Sequence, residues 1–377
     1  MLSIVNGRII TGEEILEGKS LNIEDDKIQS ITCGVPGNST IIDAKGNFVS
    51  PGFIDIHIHG AGGSDTMDAT FDSINTISKT IAQRGVTSFV PTTMSAHADD
   101  IKRAIKNIRF CMKNCTDGAN VLGAHLEGPF LSEDAKGAHD INYLKSPDID
   151  FFVSLVEDDF SIIKTITIAP EIYGAIDFIR FITGHGIIAS IGHSYGSYDD
   201  IMKGIGSGAS HSTHLYNAMR GFSHREPGVV GAIFDSRITT EFIADGIHIH
   251  FAAIRTALAV KGYQNCALVT DAMKACCMQD GVYALGGQDV FVADGAARLA
   301  DGTLAGSMLT LDIAVRNIMR NTSLNIMEAV SMATSVPARI IKVNDTKGHL
   351  KPGYDADIIV FDPDINVMTT IVGGRVV

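Results

Sequence analysis

The 377-residue sequence has no long apolar run, no surplus of positive charge and no regular cysteine framework. A membrane helix needs roughly 18 consecutive apolar residues, and neither such a run nor a signal-peptide pattern occurs here. The formal net charge of −13 argues against a nucleic-acid or anionic-membrane surface, because both require clustered Lys and Arg. Six scattered cysteines suit a reducing compartment. We therefore predict a cytoplasmic protein that binds neither nucleic acid nor membranes.

The composition, with 45% hydrophobic and 19% charged residues, allows a large buried core. Continuous apolar runs are typical of parallel strands that are covered on both faces. Eight such runs predict strands at 53–59, 87–91, 121–127, 165–170, 187–193, 211–215, 241–247 and 267–271. Helical patterns fill the intervals at 71–84, 99–111, 175–185, 198–204 and 251–263. Eight strand–helix units predict an α/β fold, a closed (β/α)8 TIM-like barrel.

The two ends of the chain carry a different pattern. Residues 1–51 contain short strand patterns at 2–5, 8–10, 20–24 and 27–32, separated by turns rich in Gly, Asp and Asn. Residues 343–377 have the same hairpin character. Strands this short must pack on other elements. We predict that 1–51 and 343–377 together form one small β-sandwich domain, beside a barrel domain that spans 52–342.

Histidines and carboxylates recur at the ends of the predicted strands. His57 and His59 are two residues apart, so they share one face of a strand and point to one place. An isolated His-x-His pair can also be two ordinary polar residues. Here, however, later strand ends carry further candidates, namely Glu127, His193, His214, His248 and Asp271. Catalytic groups of such barrels lie at the C-terminal strand ends, so the pattern predicts a metal-dependent hydrolase.

The residue types indicate the metal and its chemistry. Imidazoles and carboxylates suit Zn²⁺ or Fe²⁺, whereas Ca²⁺ prefers a site made of oxygen ligands alone. Such an ion lowers the pKa of water from about 15.7 to about 7. Hydrolysis of an amide also needs a group that takes the proton of the water and returns it to the departing nitrogen. Asp271 suits that task, although it could also cap a following helix.

Eight segments carry a resemblance to a known family: PGFID at 51–55, HLEGPF at 125–130, IGHS at 191–194, THLYNAM at 213–219, REPG at 225–228, ADGIH at 244–248, TDAM at 270–273 and LAGS at 304–307. With these motifs the sequence resembles the amidohydrolase superfamily and, within it, the N-acetylglucosamine-6-phosphate deacetylase family, over essentially the whole chain. The resemblance implies hydrolysis of the N-acetyl group of N-acetyl-D-glucosamine 6-phosphate to D-glucosamine 6-phosphate and acetate. It also implies a place in amino-sugar catabolism or cell-wall recycling.

The resemblance further implies ligands for one or two divalent ions, Zn or Fe, per subunit. Glu127, His193 and His214 match the ligands of one ion, and Asp271 matches the general acid and base. Some relatives replace one of the first-strand histidines and hold a single ion. This chain keeps both His57 and His59, so a second ion with Glu127 as the bridge remains open.

Substrate contacts are implied by the same resemblance. His139 matches a catalytic group that polarises the acetyl carbonyl, the alternative being an exposed loop histidine. Arg225 and His248 match residues that hold the sugar phosphate, and in relatives the arginine can come from the neighbouring subunit of a homodimer. The other matched contacts, whose small residues also suit tight turns, are Ala138, Asn217, Ala218, Leu304, Ala305 and Gly306.

Two alternative functions stay open. A different amidohydrolase, acting on another N-acyl amino sugar or a cyclic amide, would use the same barrel and metal, but Glu127 as the central carboxylate and the matched Arg225 argue against it. A non-catalytic scaffold is expected to lose ligands, and none is missing here. Most of the histidines without a matched role are interpreted as surface or packing residues: His97, His185, His211, His224, His250 and His349. Strand alternation is expected to turn His211 away from His214.

Overall fold

Twenty-four strands follow one another along the chain in the computed structural model, which describes residues 1–377. The N-terminal strands are β1 (Leu2–Val5), β2 (Arg8–Ile10), β3 (Ile15–Leu16), β4 (Ser20–Glu24), β5 (Lys27–Thr32), β6 (Thr40–Asp43) and β7 (Phe48–Pro51). The central strands are β8 (Phe53–Ile58), β9 (Gly60–Ala61), β10 (Ser64–Asp65), β11 (Val86–Thr93), β12 (Asn120–Val121), β13 (Ala124–Glu127), β14 (Ile163–Ile168), β15 (Ile188–Ile191), β16 (His211–Ser212), β17 (Thr239–Ile243) and β18 (Cys266–Val269). The last strands are β19 (Gly281–Leu285), β20 (Gln288–Ala293), β21 (Ala296–Arg298), β22 (Ile358–Phe361), β23 (Val367–Val372) and β24 (Arg375–Val376).

Ten α-helices lie between the strands of the central and C-terminal parts. They are α1 (Phe71–Ala82), α2 (Ala98–Asn114), α3 (Ile149–Val156), α4 (Ala175–Gly184), α5 (Tyr198–Gly206), α6 (Gly228–Phe234), α7 (Phe251–Lys261), α8 (Leu311–Asn321), α9 (Ile326–Ser331) and α10 (Ser335–Ile340). Short 3₁₀ turns occur at Thr66–Asp68, Glu133–Ala135, Ile141–Tyr143, Phe160–Ile162 and Tyr263–Asn265. None of the helices is both long and apolar enough to cross a membrane.

Eight parallel strands form the barrel, in the order β8-β11-β13-β14-β15-β16-β17-β18. The first and last strands close the ring near their C-terminal ends, where the Asp271 backbone N–H, just beyond β18, donates to the carbonyl of His57 on β8 at 2.9 Å. The carboxylate of Asp55 also joins them, because it accepts a hydrogen bond from the Thr270 hydroxyl at 2.6 Å. The barrel predicted from the apolar runs is therefore confirmed.

Helix α1 illustrates why the intervals between strands become helices. The Thr70 side chain accepts a hydrogen bond from the Ser73 backbone N–H and so caps the first turn. Ile74, Ile77 and Ile81 then recur at helical spacing and are buried on the barrel side of the helix. Such an amphipathic segment covers the outer face of parallel strands, which explains why those strands read as continuous apolar runs.

The two chain ends form a separate pair of sheets. One sheet has the order β5-β4-β1-β6, and the other, β24-β23-β22-β7-β2-β3, mixes strands from both ends. Their shared apolar core includes Leu21, Val49, Ile358 and Ile371, each almost fully buried. The predicted sandwich of both termini is therefore confirmed as a fold, while the boundaries at 51 and 343 stay predictions.

A buried ion pair joins the sandwich to the barrel. Lys347 Nζ lies 2.5 Å from Asp357 Oδ2 and 2.9 Å from Asp355 Oδ2. Asp357 also accepts a hydrogen bond from Ser88 on β11 at 3.4 Å. Burial alone would lower the pKa of Lys347, but the two carboxylates outweigh it and raise that pKa above 10.5. The ammonium group is thus held in its charged form at the junction.

A small antiparallel sheet, formed by β19, β20 and β21, is not predicted by the sequence pattern. This sheet follows the last barrel strand and packs against the loops after β11 and β13, where Leu285 and Val290 form one apolar cluster with Met94 and Ala138. Gln288 Nε2 also donates to the Ala138 carbonyl at 2.6 Å. The added sheet therefore forms part of the wall at the C-terminal end of the barrel.

Candidate active site and metal centre

The C-terminal ends of the barrel strands bring six of the predicted side chains together, namely those of His57, His59, Glu127, His193, His214 and Asp271. Glu127 ends β13, whereas His193, His214 and Asp271 each lie two residues beyond a strand. The backbones of these last three residues adopt left-handed conformations, with φ values of 47° at His193, 26° at His214 and 48° at Asp271. Such conformations cost about 1–3 kcal/mol each for residues other than glycine and cluster at functional sites. The sharp turns project the side chains toward the barrel axis instead of continuing the strands.

Glu127 lies at the centre of the cluster. Its Oε1 atom is 3.3 Å from His193 Nε2 and 3.2 Å from His214 Nε2. Its Oε2 atom is 3.1 Å from His59 Nε2, while His57 Nε2 lies 3.5 Å from Oε1. One carboxylate therefore contacts histidines from the first, fifth and sixth barrel strands, as a ligand shared by two ions would.

Asp271 faces the first-strand histidines from the other side. Its Oδ1 atom is 3.2 Å from His59 Nε2 and 3.5 Å from His57 Nε2. The side chain retains about 12% of its exposure and lines the cavity above the cluster. A carboxylate in this place can reach both the first-strand histidines and a molecule in the cavity.

The hydrogen bonds of His193 and His57 show which ring atoms are free to bind a metal. His193 Nδ1 donates to the Ala135 carbonyl at 2.8 Å, so Nε2 is left for another partner. His214 Nε2 lies 3.1 Å from this nitrogen and 3.2 Å from Glu127 Oε1, and it can offer at most one proton to these two acceptors. His57 Nε2 is buried without a hydrogen-bond partner. A cation among these atoms would satisfy all three nitrogens, and His57, His59 and Glu127 form a group that could hold one.

The ring proton of His139 is on the opposite nitrogen from that of His193. Its Nδ1 atom accepts a hydrogen bond from the Ser95 backbone N–H at 3.3 Å and lies 2.9 Å from the Ser95 hydroxyl. A backbone N–H can only donate, so the ring proton is on Nε2, which is 3.5 Å from Glu127 Oε2. Burial lowers the pKa of His139 to about 4, and the ring is neutral. Although its position beside Glu127 and His193 would allow metal binding, its geometry makes it a hydrogen-bond donor.

The electrostatics of the cluster favour positive charge. Burial alone would lower the pKa values of His57 and His59, but Glu127 and Asp271 outweigh it, holding that of His57 well above its usual range and raising that of His59 to about 9. Burial alone would raise the pKa of Asp271, but the two histidines lower it to about 2. Glu127 is likewise held well below its usual pKa by the histidines around it. The field that favours protonated imidazoles also favours a divalent cation.

A cavity of about 290 Å³ opens above the cluster. It is lined by most of the predicted substrate contacts: Ala138, Asn217, Ala218, His248, Leu304 and Gly306. His248 Nδ1 is 2.6 Å from Asp245 Oδ2, and this contact fixes its ring at the rim. Ala305 is fully buried and does not line the cavity. Arg225 lies on an exposed loop and is not among the lining residues either.

Several residues of the site were not identified from the sequence. Glu241, on β17, contacts His57 Nδ1 through Oε2 at 3.1 Å and His211 Nε2 through Oε1 at 3.0 Å. Ser95 orients His139, and the cavity wall also contains Met94 and Thr303. The signal that could have revealed Glu241 is a carboxylate within an otherwise apolar, buried strand. Ser95 carries no comparable signal.

His211 is not part of the cavity wall, yet it is fully buried and connected to the site through Glu241. His97, His224 and His250 are exposed, and so is His185, although its ring also packs against Phe160 and Phe181. His349 lies far along the chain and packs against Tyr354 of the terminal sandwich. None of these five histidines lines the cavity.

Comparisons with known proteins agree with this geometry. Residues 48–377 match the Amidohydrolase family. The chain is 37% identical to an N-acetylglucosamine-6-phosphate deacetylase of Bacillus subtilis, over 98% of this chain and 95% of the relative. It is 36% identical to an N-acetylgalactosamine-6-phosphate deacetylase of Escherichia coli O157:H7, over 98% of this chain and 97% of the relative. A crystal structure of N-acetylglucosamine-6-phosphate deacetylase from Pasteurella multocida superposes with a TM-score of 0.96 at 34% identity, covering 100% of this chain and 99% of that one.

The chain therefore belongs to the amidohydrolase family and, more narrowly, to the N-acetylglucosamine-6-phosphate deacetylase family. The resemblance inferred from the sequence motifs is thereby confirmed.

Proposed function

We propose that this protein hydrolyses the N-acetyl group of N-acetyl-D-glucosamine 6-phosphate, giving D-glucosamine 6-phosphate and acetate. The observation that carries the proposal is the buried cluster of Glu127, His193, His214 and Asp271 at the floor of a cavity of about 290 Å³. Each of these residues stands at the end of a barrel strand, where the catalytic groups of such barrels lie.

The chain's own residues would hold one or two divalent ions, Zn²⁺ or Fe²⁺. Glu127, His193 and His214 would bind one ion, because their Oε1 and Nε2 atoms lie within 3.1–3.3 Å of one another. His57 and His59, with Glu127 as the bridge, would bind the second. When bound, such ions polarise the amide carbonyl and acidify water at neutral pH.

Asp271 is the proton carrier in this proposal. The neighbouring histidines outweigh burial and lower the pKa of Asp271, so the group is a carboxylate at neutral pH, the form that can accept a proton from the attacking water. The same residue then returns the proton to the sugar nitrogen as the C–N bond breaks. Its place on the cavity wall supports both transfers, since the group must reach water and substrate from one position.

His139 stabilises the negative charge that develops on the acetyl oxygen. Its ring is neutral, and the proton on Nε2 is directed into the site because Ser95 occupies Nδ1. A hydrogen bond from a buried, oriented donor to a developing oxyanion contributes about 2.7–4 kcal/mol in comparable enzymes. The deep position of the ring, 2% exposed, argues against the alternative of an exposed loop histidine.

The sugar phosphate would be held at the rim of the cavity by His248 and by Arg225 of a neighbouring subunit. The exposed loop of Arg225, outside the cavity of its own chain, supports a contribution across a homodimer interface. The sugar pocket would be shaped by Ala138, Asn217, Ala218, Leu304 and Gly306. Ala305 does not line the cavity, and it would contribute by holding the backbone of Leu304 and Gly306 on either side of it. The proposal also includes a cytoplasmic location and a role in amino-sugar catabolism or cell-wall recycling.

The test is acetate release from N-acetylglucosamine 6-phosphate by purified protein, with the metal content per chain measured on the same sample. Because a relative of similar identity is named as acting on the galactosamine isomer, that compound is assayed in parallel, as is unphosphorylated N-acetylglucosamine. Turnover that a chelator abolishes and Zn²⁺ or Fe²⁺ restores supports the proposal. A metal-loaded protein without turnover would indicate a different amidohydrolase substrate, and a metal-free inactive protein would indicate a scaffold.

A further inference from the structure

A buried row of polar side chains lies behind the first-strand histidines. Thr239 Oγ1 is 2.7 Å from His211 Nδ1, and His211 Nε2 is 3.0 Å from Glu241 Oε1. Glu241 Oε2 is in turn 3.1 Å from His57 Nδ1. We call these four residues the Glu241 network. The side chains of His57, His211 and Glu241 are each at most 1% exposed, so no solvent competes for the contacts among these three, whereas Thr239 at the far end is partly exposed.

Burial of the charged Glu241 carboxylate costs free energy of folding in this position. The residue sits on β17, directly before the buried apolar residues Phe242 and Ile243. Burying an unpaired carboxylate costs several kcal/mol, so a retained one must be fully hydrogen-bonded. Here the carboxylate has three partners, since the His214 backbone N–H also donates to Oε2 at 3.1 Å. A hydrophobic residue would fill the same space without that cost, which points to a function for the charge.

The contacts determine which nitrogen of His57 is free. An ionised carboxylate can only accept hydrogen bonds, so the proton between Glu241 and His57 belongs to Nδ1. The Nε2 atom of His57 then faces Glu127 and Asp271, 3.5 Å from each, without a hydrogen-bond partner. Carboxylates that hold the second nitrogen of a metal-binding histidine fix its tautomer and raise its basicity.

We propose that Glu241 is a positioning residue that makes His57 a strong metal ligand and thereby stabilises the second ion of the centre. The inference rests on the proposed metal-dependent function. The contrast with His193 supports it, because the Nδ1 atom of His193 is held by a neutral backbone carbonyl. Only the first-strand half of the centre has an anionic partner behind its ligand. His211 and the His214 N–H hold the carboxylate in the orientation that His57 requires.

The test uses Glu241→Gln, which keeps the shape of the side chain and an oxygen that can accept from His57 but removes the charge. Wild-type and variant proteins are equilibrated with Zn²⁺ at graded free concentrations set by a chelator buffer, and bound zinc per chain is measured by mass spectrometry. The second ion should bind about 10–100-fold more weakly in the variant, while the affinity for the first ion stays unchanged. Cobalt-substituted samples should lose the absorption contributed by the second site at the same concentrations.

Glu171→Gln is the matched control. The carboxylate of Glu171 also supports a loop next to a proposed ligand, accepting hydrogen bonds from Ser194 Oγ and the Tyr195 N–H at 2.7 Å each, but it touches no ligand ring. Both ions should bind to this variant as they bind to the wild type. If Glu241→Gln does not fold, His211→Gln tests the same network from its far side and should weaken the same ion to a smaller extent.

The outcomes separate this inference from the function on which it rests. Two ions bound with equal affinities in wild type and Glu241→Gln would overturn the positioning role while leaving the hydrolase intact. A single ion in the wild type, unaffected by the substitution, would mean that His57 is not a ligand and would also overturn it. A wild type that binds no zinc at any concentration would refute the proposed metal centre itself.

Discussion

Replacing Asp271 by asparagine tests the proton transfer on which the proposed reaction depends. Asparagine keeps the shape of the side chain, and its amide oxygen can still face His59, from which the carboxylate oxygen is 3.2 Å distant. It cannot accept a proton. General acid–base catalysis raises the rate about 10²–10⁴-fold, which corresponds to an activation free energy lower by roughly 3–5 kcal/mol. Glu127, another carboxylate of the cavity, is already engaged by histidines, so we expect a loss toward the upper end of that range.

The assay is acetate release at saturating substrate, with metal content measured on the same preparation. The Asp271→Asn protein should retain its ions and lose turnover, which separates proton transfer from metal binding. Asp280→Asn is a suitable control, because it makes the same substitution at an exposed position on the same segment of the chain. Near-native kcat in the metal-loaded Asp271→Asn protein would remove Asp271 from the mechanism. Loss of metal together with activity would instead assign it a ligand role.

Three further substitutions test other parts of the molecule. Arg225→Ala should raise KM for the phosphorylated sugar about 10–100-fold while changing KM for N-acetylglucosamine little, since a charge-assisted hydrogen bond contributes about 1.5–3 kcal/mol; equal effects on both sugars would place the phosphate elsewhere. Glu127→Ala should release metal on dialysis, and an unchanged metal content would contradict its ligand role. Lys347→Met should lower the free energy of unfolding at pH 7 by about 3–5 kcal/mol, because it leaves buried Asp357 unpaired; urea denaturation measures this. The pKa of Lys347 in the folded protein is raised above 10.5. The contribution of Lys347 to the free energy of unfolding is therefore complete below pH 10.5 and is lost as the pH rises through the folded-state pKa. The Met variant should lack this alkaline decline in stability.

The barrel could be predicted because its strands and helices leave regular traces in the sequence. The predicted strand at 53–59 corresponds to β8, and the predicted helix at 175–185 to α4, with ends that differ by one residue. Both follow from burial, which imposes continuous apolar runs on the strands and a 3.6-residue period on the helices. The β19–β21 sheet left no such trace. Its strands are partly exposed, so they lack the continuous apolar run that marks a strand covered on both faces.

Some residues of the site could likewise be predicted from the sequence, whereas others could not. The candidate ligands could be proposed because polar residues at the ends of apolar runs are conspicuous and because barrel strands end at one face. Arg225, in contrast, could not be placed by its motif, since an exposed loop has no strand to direct it. His211 was expected to face away from the site by strand alternation. In the structure its side chain is outside the cavity, as expected, but it reaches the site through Glu241.

The sequence by itself determined the alternation of strands and helices, the pairing of the two ends and the residues at the strand ends, because each of these depends on local periodicity and residue type. Only the tertiary structure decided which side chains meet. His57 and Glu241 are 184 residues apart, and their contact depends on the order and register of strands from opposite ends of the barrel sheet. The same holds for the tautomers of His57, His193 and His139, since each is set by the partner of its second nitrogen. The pattern of residue types along the chain indicates which residues are buried. The tautomer and charge of a buried residue depend instead on the side chains and backbone groups that it contacts.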